Sequence, residues 1–231
     1  ADYAWPPALG SLYQRNGLTL SVALALGLAL FLALAMLRQG TLWGAPVAGG
    51  FYAVFPHNLM VSLFAPIFLF AVLALALGVM RFWRDVTPAT SGADLTSPAA
   101  AEAAHAALRL KYLDGGHGEG CHNEDDAWTH ARRRYHHLTF YGFMLCFAAT
   151  SVATLYHYVL GWPAPYDLTT LPKLLGVVGG VSLAVGTAGL WRLNLRRHPE
   201  HGDAAQKPMD RGFIALLFLV SVTGLLLWLL G

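Results

Sequence analysis

RRRYHHLTFYGFMLCFAATSVATLYHYVLGWP, residues 132–163, decides the fold. Arg132, Arg133 and Arg134 lead into about 23 mostly apolar residues, and Pro163 closes the stretch, long enough to cross a bilayer as one helix. The arginine cluster marks the leading end as cytoplasmic. Histidines stand at both ends, His136 and His137 at the start and His157 near the finish. Helical rise separates His137 from His157 by roughly 30 Å. Imidazoles near both faces of one span point to a cofactor with nitrogen ligands, haem first among them.

Working outward, the 231 residues are 56% hydrophobic and 12% charged, with mean hydropathy +0.49. A soluble domain carries about twice that charge, so the chain reads as an all-α, polytopic membrane helix bundle. Five spans are expected, at 18–37, 55–80, 137–160, 171–191 and 212–230, in a single membrane domain. Pro56 suits a first helical turn and puts His57 just inside the membrane. Pro66 predicts a kink in the second span. The fourth span is rich in glycine (Gly176, Gly179, Gly180, Gly186, Gly189), which allows close helix approach.

Residues 81–136 form the one long cytoplasmic segment: a Pro/Ser/Thr linker, an amphipathic helix over 99–113, a glycine-rich turn over 115–122, and a helix start at Asn123 with Asp126 three residues on. With the N-terminus cytoplasmic and the C-terminus periplasmic, 13 of the 15 lysines and arginines fall on the cytoplasmic side; only Arg38 and Lys173 lie outside. The opening residues ADYAWPPALG have neither a basic leader region nor an initiator Met, and read as the start of a fragment or processed product.

No Asp, Glu, Lys or Arg lies deep within an expected span, which counts against pumps and ion-coupled carriers. No internal repeat supports a transporter architecture. Catalytic triads, phosphate-binding loops, dinucleotide fingerprints and nucleic-acid signatures are absent. Cys121 and Cys146 are too few to ligate an iron–sulfur cluster. His117, Glu119, Cys121 and His122 cluster in a glycine-rich loop, but their spacing fits no standard zinc pattern.

The histidines remain. His57 begins a span that enters from outside, and His157 ends one that exits there, so the two stand at similar depth on antiparallel helices, as two axial ligands of one haem would. On the His157 side of its helix lie Thr139, Gly142, Cys146, Ala149, Thr150 and Ala153. That stripe of small residues suits a groove for a flat macrocycle, or equally tight helix packing. Taken singly, each histidine equally fits an interfacial hydrogen-bonding role. By helical angle His136 lies about 60° from His157 and His137 about 160° away. For a second haem at their level, Met80, His130, His198 and His201 are the available partners, none compelling; lipid headgroups or a partner subunit are the other use of a His pair beside arginines.

Six strings carry a family resemblance: FYAVFPHNLM (51–60), RFWRD (81–85), GGHGEGC (115–121), RRRYHHLTFYGFMLCFAATSVATLYHY (132–158), GWPAPY (161–166) and MDRGFIALLFLVSVTGLLL (209–227). Together they resemble the TcuB/CitB-like family of tricarballylate-utilisation membrane proteins, and are similar to the membrane region of CobZ. The resemblance implies a multi-pass electron-transfer protein of the bacterial inner membrane carrying haem b, one or two per chain. It would reoxidise a partner flavoprotein dehydrogenase and reduce quinone. His57, His136, His137 and His157 fall in the matching strings, whereas His198 and His201 do not. Family members carry 4Fe–4S clusters on a domain ahead of the spans; its cysteines are missing here, so those centres are expected on a cleaved upstream domain or a partner chain, the alternative being a version that works without them. A cytoplasmic donor and an outer haem would stand roughly 30 Å apart, which favours a further cofactor at His136/His137. The rivals are a cofactor-free anchor for a soluble dehydrogenase and, less favoured, a small-molecule carrier with its site at the Pro66 kink.

Overall fold

The computed structural model describes residues 3–8, 10, 17–40, 55–87, 97–114, 129–196 and 207–230. The described residues are helical: α1 (Gly17–Gln39), α2 (His57–Val86), α3 (Ser97–Leu108), a 3₁₀ turn (Lys111–Asp114), α4 (Ala131–Tyr158), α5 (Leu171–Arg196) and α6 (Lys207–Leu230). Five of them, α1, α2, α4, α5 and α6, are long and apolar enough to cross a membrane. The number of spans is the expected one. Several helices run past the apolar segment, because nothing in Arg81, Arg84, Arg132–Arg134 or Arg192–Arg196 breaks a helix once it has left the bilayer.

The chain divides into two compact units, Ala1–Ala93 and Asp94–Gly231. In the first, Phe31 of α1 stacks on Phe64 of α2 (5.8 Å) and meets Phe55 edge-on (5.7 Å). Pro56 caps α2, its carbonyl accepting from Leu59 and Met60, and α2 then continues through Pro66 without interruption. The N-terminal segment lies along the far half of α2: Tyr3 meets Phe82, Trp5 meets Phe70, and Arg81 Nη1 donates to the Ala4 carbonyl (3.0 Å).

In the second unit α4, α5 and α6 form an antiparallel layer with α5 in the middle. Glycine makes the α4–α5 contact. A methyl group on Gly142 would meet Leu183 N at 2.6 Å and Gly179 O at 2.9 Å; one on Gly179 would meet Cys146 N and Sγ at 2.9 Å; one on Gly186 would meet Thr139 N and Oγ1 at 2.6 Å. At Gly189 the Tyr135 ring fills the space a side chain would need. The two backbones therefore touch, which brings dispersion contacts of main chain on main chain into an environment where lipid leaves little hydrophobic drive between helices. On its other face α5 meets α6 through Gly180 and Leu225. Thr187, fully buried, donates to the Leu183 carbonyl at 2.7 Å and so has its own hydroxyl satisfied.

The layer has two unlike ends. At one, Arg132–Arg134, Arg192, Arg196, Lys207 and Arg211 are carried by adjoining helix termini, and Arg211 Nε donates to Asn194 Oδ1 (2.9 Å) across α6 and α5. At the other, Tyr156 meets Trp162 and Tyr166 edge-on, and the Tyr166 hydroxyl donates to the carbonyl of Ala153 or Trp162 (3.1 Å to each). Aromatic residues at one end and arginines at the other are what two membrane–water interfaces select.

The helix expected over 99–113 is shorter than that range. It starts at Ser97 and stops at Leu108, because Leu110 turns into the left-handed region (φ +46°) and the 3₁₀ turn follows. The expected helix start at Asn123 and Asp126 lies outside the described residues; α4 begins at Ala131, with His130 at its cap.

Candidate functional site

His57 is the first residue of α2 and is half-buried. Buried Phe55 and the rigid Pro56 precede it and set the direction in which the helix starts. His57 lies two helical turns before Phe64, so by register it shares the side of α2 that carries the ring meeting Phe31. His157 is the penultimate residue of α4, half-buried, its ring edge-on to Tyr158 at 4.9 Å. Beyond it the chain leaves the helix by a widened turn. Leu160 N donates back to Leu155 O (3.3 Å), Trp162 N donates to Tyr156 O (2.9 Å), and Gly161 takes φ +67°. The Tyr166 hydroxyl also lies against this last stretch of α4.

His136 and His137 are neighbours near the start of α4, both half-buried. They point to different surroundings. His137 stacks parallel to Tyr141 (5.9 Å, 5°), whose hydroxyl donates to the Leu108 carbonyl at the end of α3. His136 lies about 100° round the helix from His137.

Four of the six residues of the small-residue stripe have one clear use. Thr139, Gly142, Cys146 and Ala149 line the contact with α5, and that stretch holds no open groove for a macrocycle. The open side of α4 is the neighbouring flank. By helical angle it carries His136, Phe143, Phe147, Thr150 and Thr154, with His157 at its edge. Phe143 is 54% exposed and Phe147 46% exposed. The threonine hydroxyls on this flank donate into their own helix, Thr150 to Cys146 O and Thr154 to Thr150 O.

His57 belongs to the first unit and His136, His137 and His157 to the second. Of the partners considered for a second haem, Met80 is 48% exposed on α2, and the His130 carbonyl accepts from Arg134 N. His198 and His201 lie outside the described residues, as do His117, Glu119, Cys121 and His122. Among the described residues no three His, Cys, Asp or Glu side chains are gathered for a metal ion; a haem iron asks the protein for two axial donors at most.

Among the polar links that reading the sequence missed are those of Arg133 and Tyr141 to the end of α3, and of Arg211 to Asn194. The spacing of Arg133, His137 and Tyr141 at four-residue steps is the signal that was available for the first.

Helix content, five spanning helices and a close-packed glycine contact define a multi-pass helical membrane protein. The family is given by comparison with known proteins. The family model described as "Citrate utilization protein B" matches residues 12–231, and the chain belongs to that family. It is 56% identical over 224 residues to a citrate utilization protein B of Escherichia coli, covering 96% of this chain and 58% of that protein. The chain thus spans little more than half the length of that relative. No solved structure matches.

Proposed function

We propose that the chain is the haem-bearing membrane part of an electron-transfer system that reoxidises a cytoplasmic flavoprotein dehydrogenase and delivers electrons to quinone. The observation that carries this reading is the placement of two half-buried histidines at the helix ends remote from arginine. His57 opens α2, which closes on Arg84, and His157 closes α4, which opens on Arg132–Arg134. With the arginine-rich ends cytoplasmic, both imidazoles stand near the periplasmic face. Neutral imidazole is a good axial donor, and two of them at matched depth are the set a b-type haem uses. When bound, haem supplies one-electron transfer. The chain's own contribution is to orient the two imidazoles. On α4 that orientation is held by the widened turn and the Tyr166 contact; on α2 it is set by Pro56.

The relative's printed name speaks of citrate and the sequence resemblance of tricarballylate, so the substrate of the partner dehydrogenase is a tricarboxylate. Iron–sulfur centres reside outside the residues of this chain, and the cytoplasmic arginine-rich end is where their carrier docks. That same basic end favours the second reading, a cofactor-free anchor for the dehydrogenase.

A dithionite-reduced minus oxidised visible spectrum of the purified protein, with a pyridine haemochrome count per chain, separates the two. We expect a b-type spectrum that is lost in both His57→Ala and His157→Ala. A well-folded wild type without haem leaves the anchor. A full spectrum surviving both substitutions places the ligands elsewhere.

A further inference from the structure

We infer that α3 and the turn after it form a strap clamped to the basic end of α4 by Arg133 and Tyr141, with His137 a packing member of that clamp rather than a cofactor ligand. The last carbonyls of a helix have no donor within it. At the end of α3 they receive donors from α4. Arg133 gives both Nε (3.2 Å) and Nη2 (3.0 Å) to the Arg109 carbonyl, and the Tyr141 hydroxyl donates to the Leu108 carbonyl at 2.9 Å. A guanidinium at a helix C-terminus also meets the negative end of the helix dipole.

Two further observations agree. Leu110 sits at φ +46°, a conformation that side chains other than glycine adopt only where the surroundings hold them. The carbonyls of the two residues just before it are the ones clamped. In addition, α3 has only 12 residues, rich in alanine and mostly exposed, and a helix of that length is marginal by itself in water. Its order therefore depends on the attachment at its end.

The clamp assigns the two adjacent histidines different roles. Arg133, His137 and Tyr141 follow one another at four-residue steps on the face of α4 that takes the strap, and the His137 ring lies parallel to Tyr141. His136 lies on the flank with exposed Phe143 and Phe147 instead. The assignment of His137 against haem rests on the proposed function; the clamp does not.

The test is hydrogen–deuterium exchange of the full chain in lipid nanodiscs, read over residues 97–114, with residues 176–190 of α5 as the control for folding. Arg133→Gln and the milder Tyr141→Phe should each speed exchange in the strap, the former by about tenfold or more, while the α5 control is unchanged. His137→Ala should also speed it, and His137→Phe should restore protection by keeping a ring against Tyr141. The haem count of His137→Phe should equal that of the wild type. Strap exchange that is indifferent to Arg133→Gln and Tyr141→Phe overturns the clamp. Loss of haem from His137→Phe with the strap still protected overturns the role given to His137. A wild type without haem defeats the proposed function alone, and the His137→Ala and His137→Phe exchange rates still decide whether that residue belongs to the clamp.

Discussion

The contact between α4 and α5 and the contact between α1 and α2 join spanning helices by opposite means. In α4–α5, glycine removes side chains so that backbone meets backbone, and α5 buries eight residues, five of them Gly or Pro. In α1–α2, aromatic rings bridge a wider gap, and no residue within α2 is buried. A glycine contact is set by main-chain atoms that have no rotamers to adjust, so it holds one register. A ring contact adapts, because a phenylalanine can turn or slide. His136, His137 and His157 are thus carried on a helix of fixed register, and His57 on one whose position is softer.

Three substitutions break or sharpen this comparison. The largest effect is expected at the glycine contact. Gly186→Val puts carbon atoms where Thr139 N and Oγ1 already lie, and backbone on the partner helix has nowhere to go. We expect about 3 kcal/mol of destabilisation, at the upper end of overpacking costs, read as a lowered unfolding midpoint in detergent. An intermediate effect belongs to Tyr166→Phe, which removes the hydroxyl bonded to the Ala153 and Trp162 carbonyls. It should cost about 1 kcal/mol, read as a smaller drop in the same unfolding midpoint. The smallest is Gly27→Ala on α1. Nothing lies within 4 Å of the methyl group it adds, so stability should change by less than about 1 kcal/mol, toward greater helix stability. A large loss from Gly27→Ala, or none from Gly186→Val, would reverse the contrast between the two contacts.

Much of the fold was legible in the sequence. Runs of apolar residues of bilayer length announce their helices, because an unpaired backbone is too costly in lipid for anything else. Pro56 before His57 marked the start of α2, and Gly179 and Gly186 marked a close-packing helix. The candidate site was legible only in part. The stripe Thr139–Gly142–Cys146–Ala149 was visible as a stripe, yet its composition serves a macrocycle and a second helix equally well, and α5 fills it. The expected helix over 99–113 overran its true end because Arg109, Leu110 and Lys111 are all compatible with a helix. What ends it is local chain reversal at Leu110, alongside which donors 24 and 33 residues away take the terminal carbonyls.

By itself, the sequence determined the class, the number of spanning helices, and which residue types stand at which end of each, since these follow from local hydrophobicity, helical pitch and charge. The tertiary structure alone decided which face of α4 meets α5, which face takes α3, and therefore that adjacent His136 and His137 belong to different surroundings. Those choices depend on which backbone atoms can approach one another, and a helical wheel gives directions without saying what lies along them.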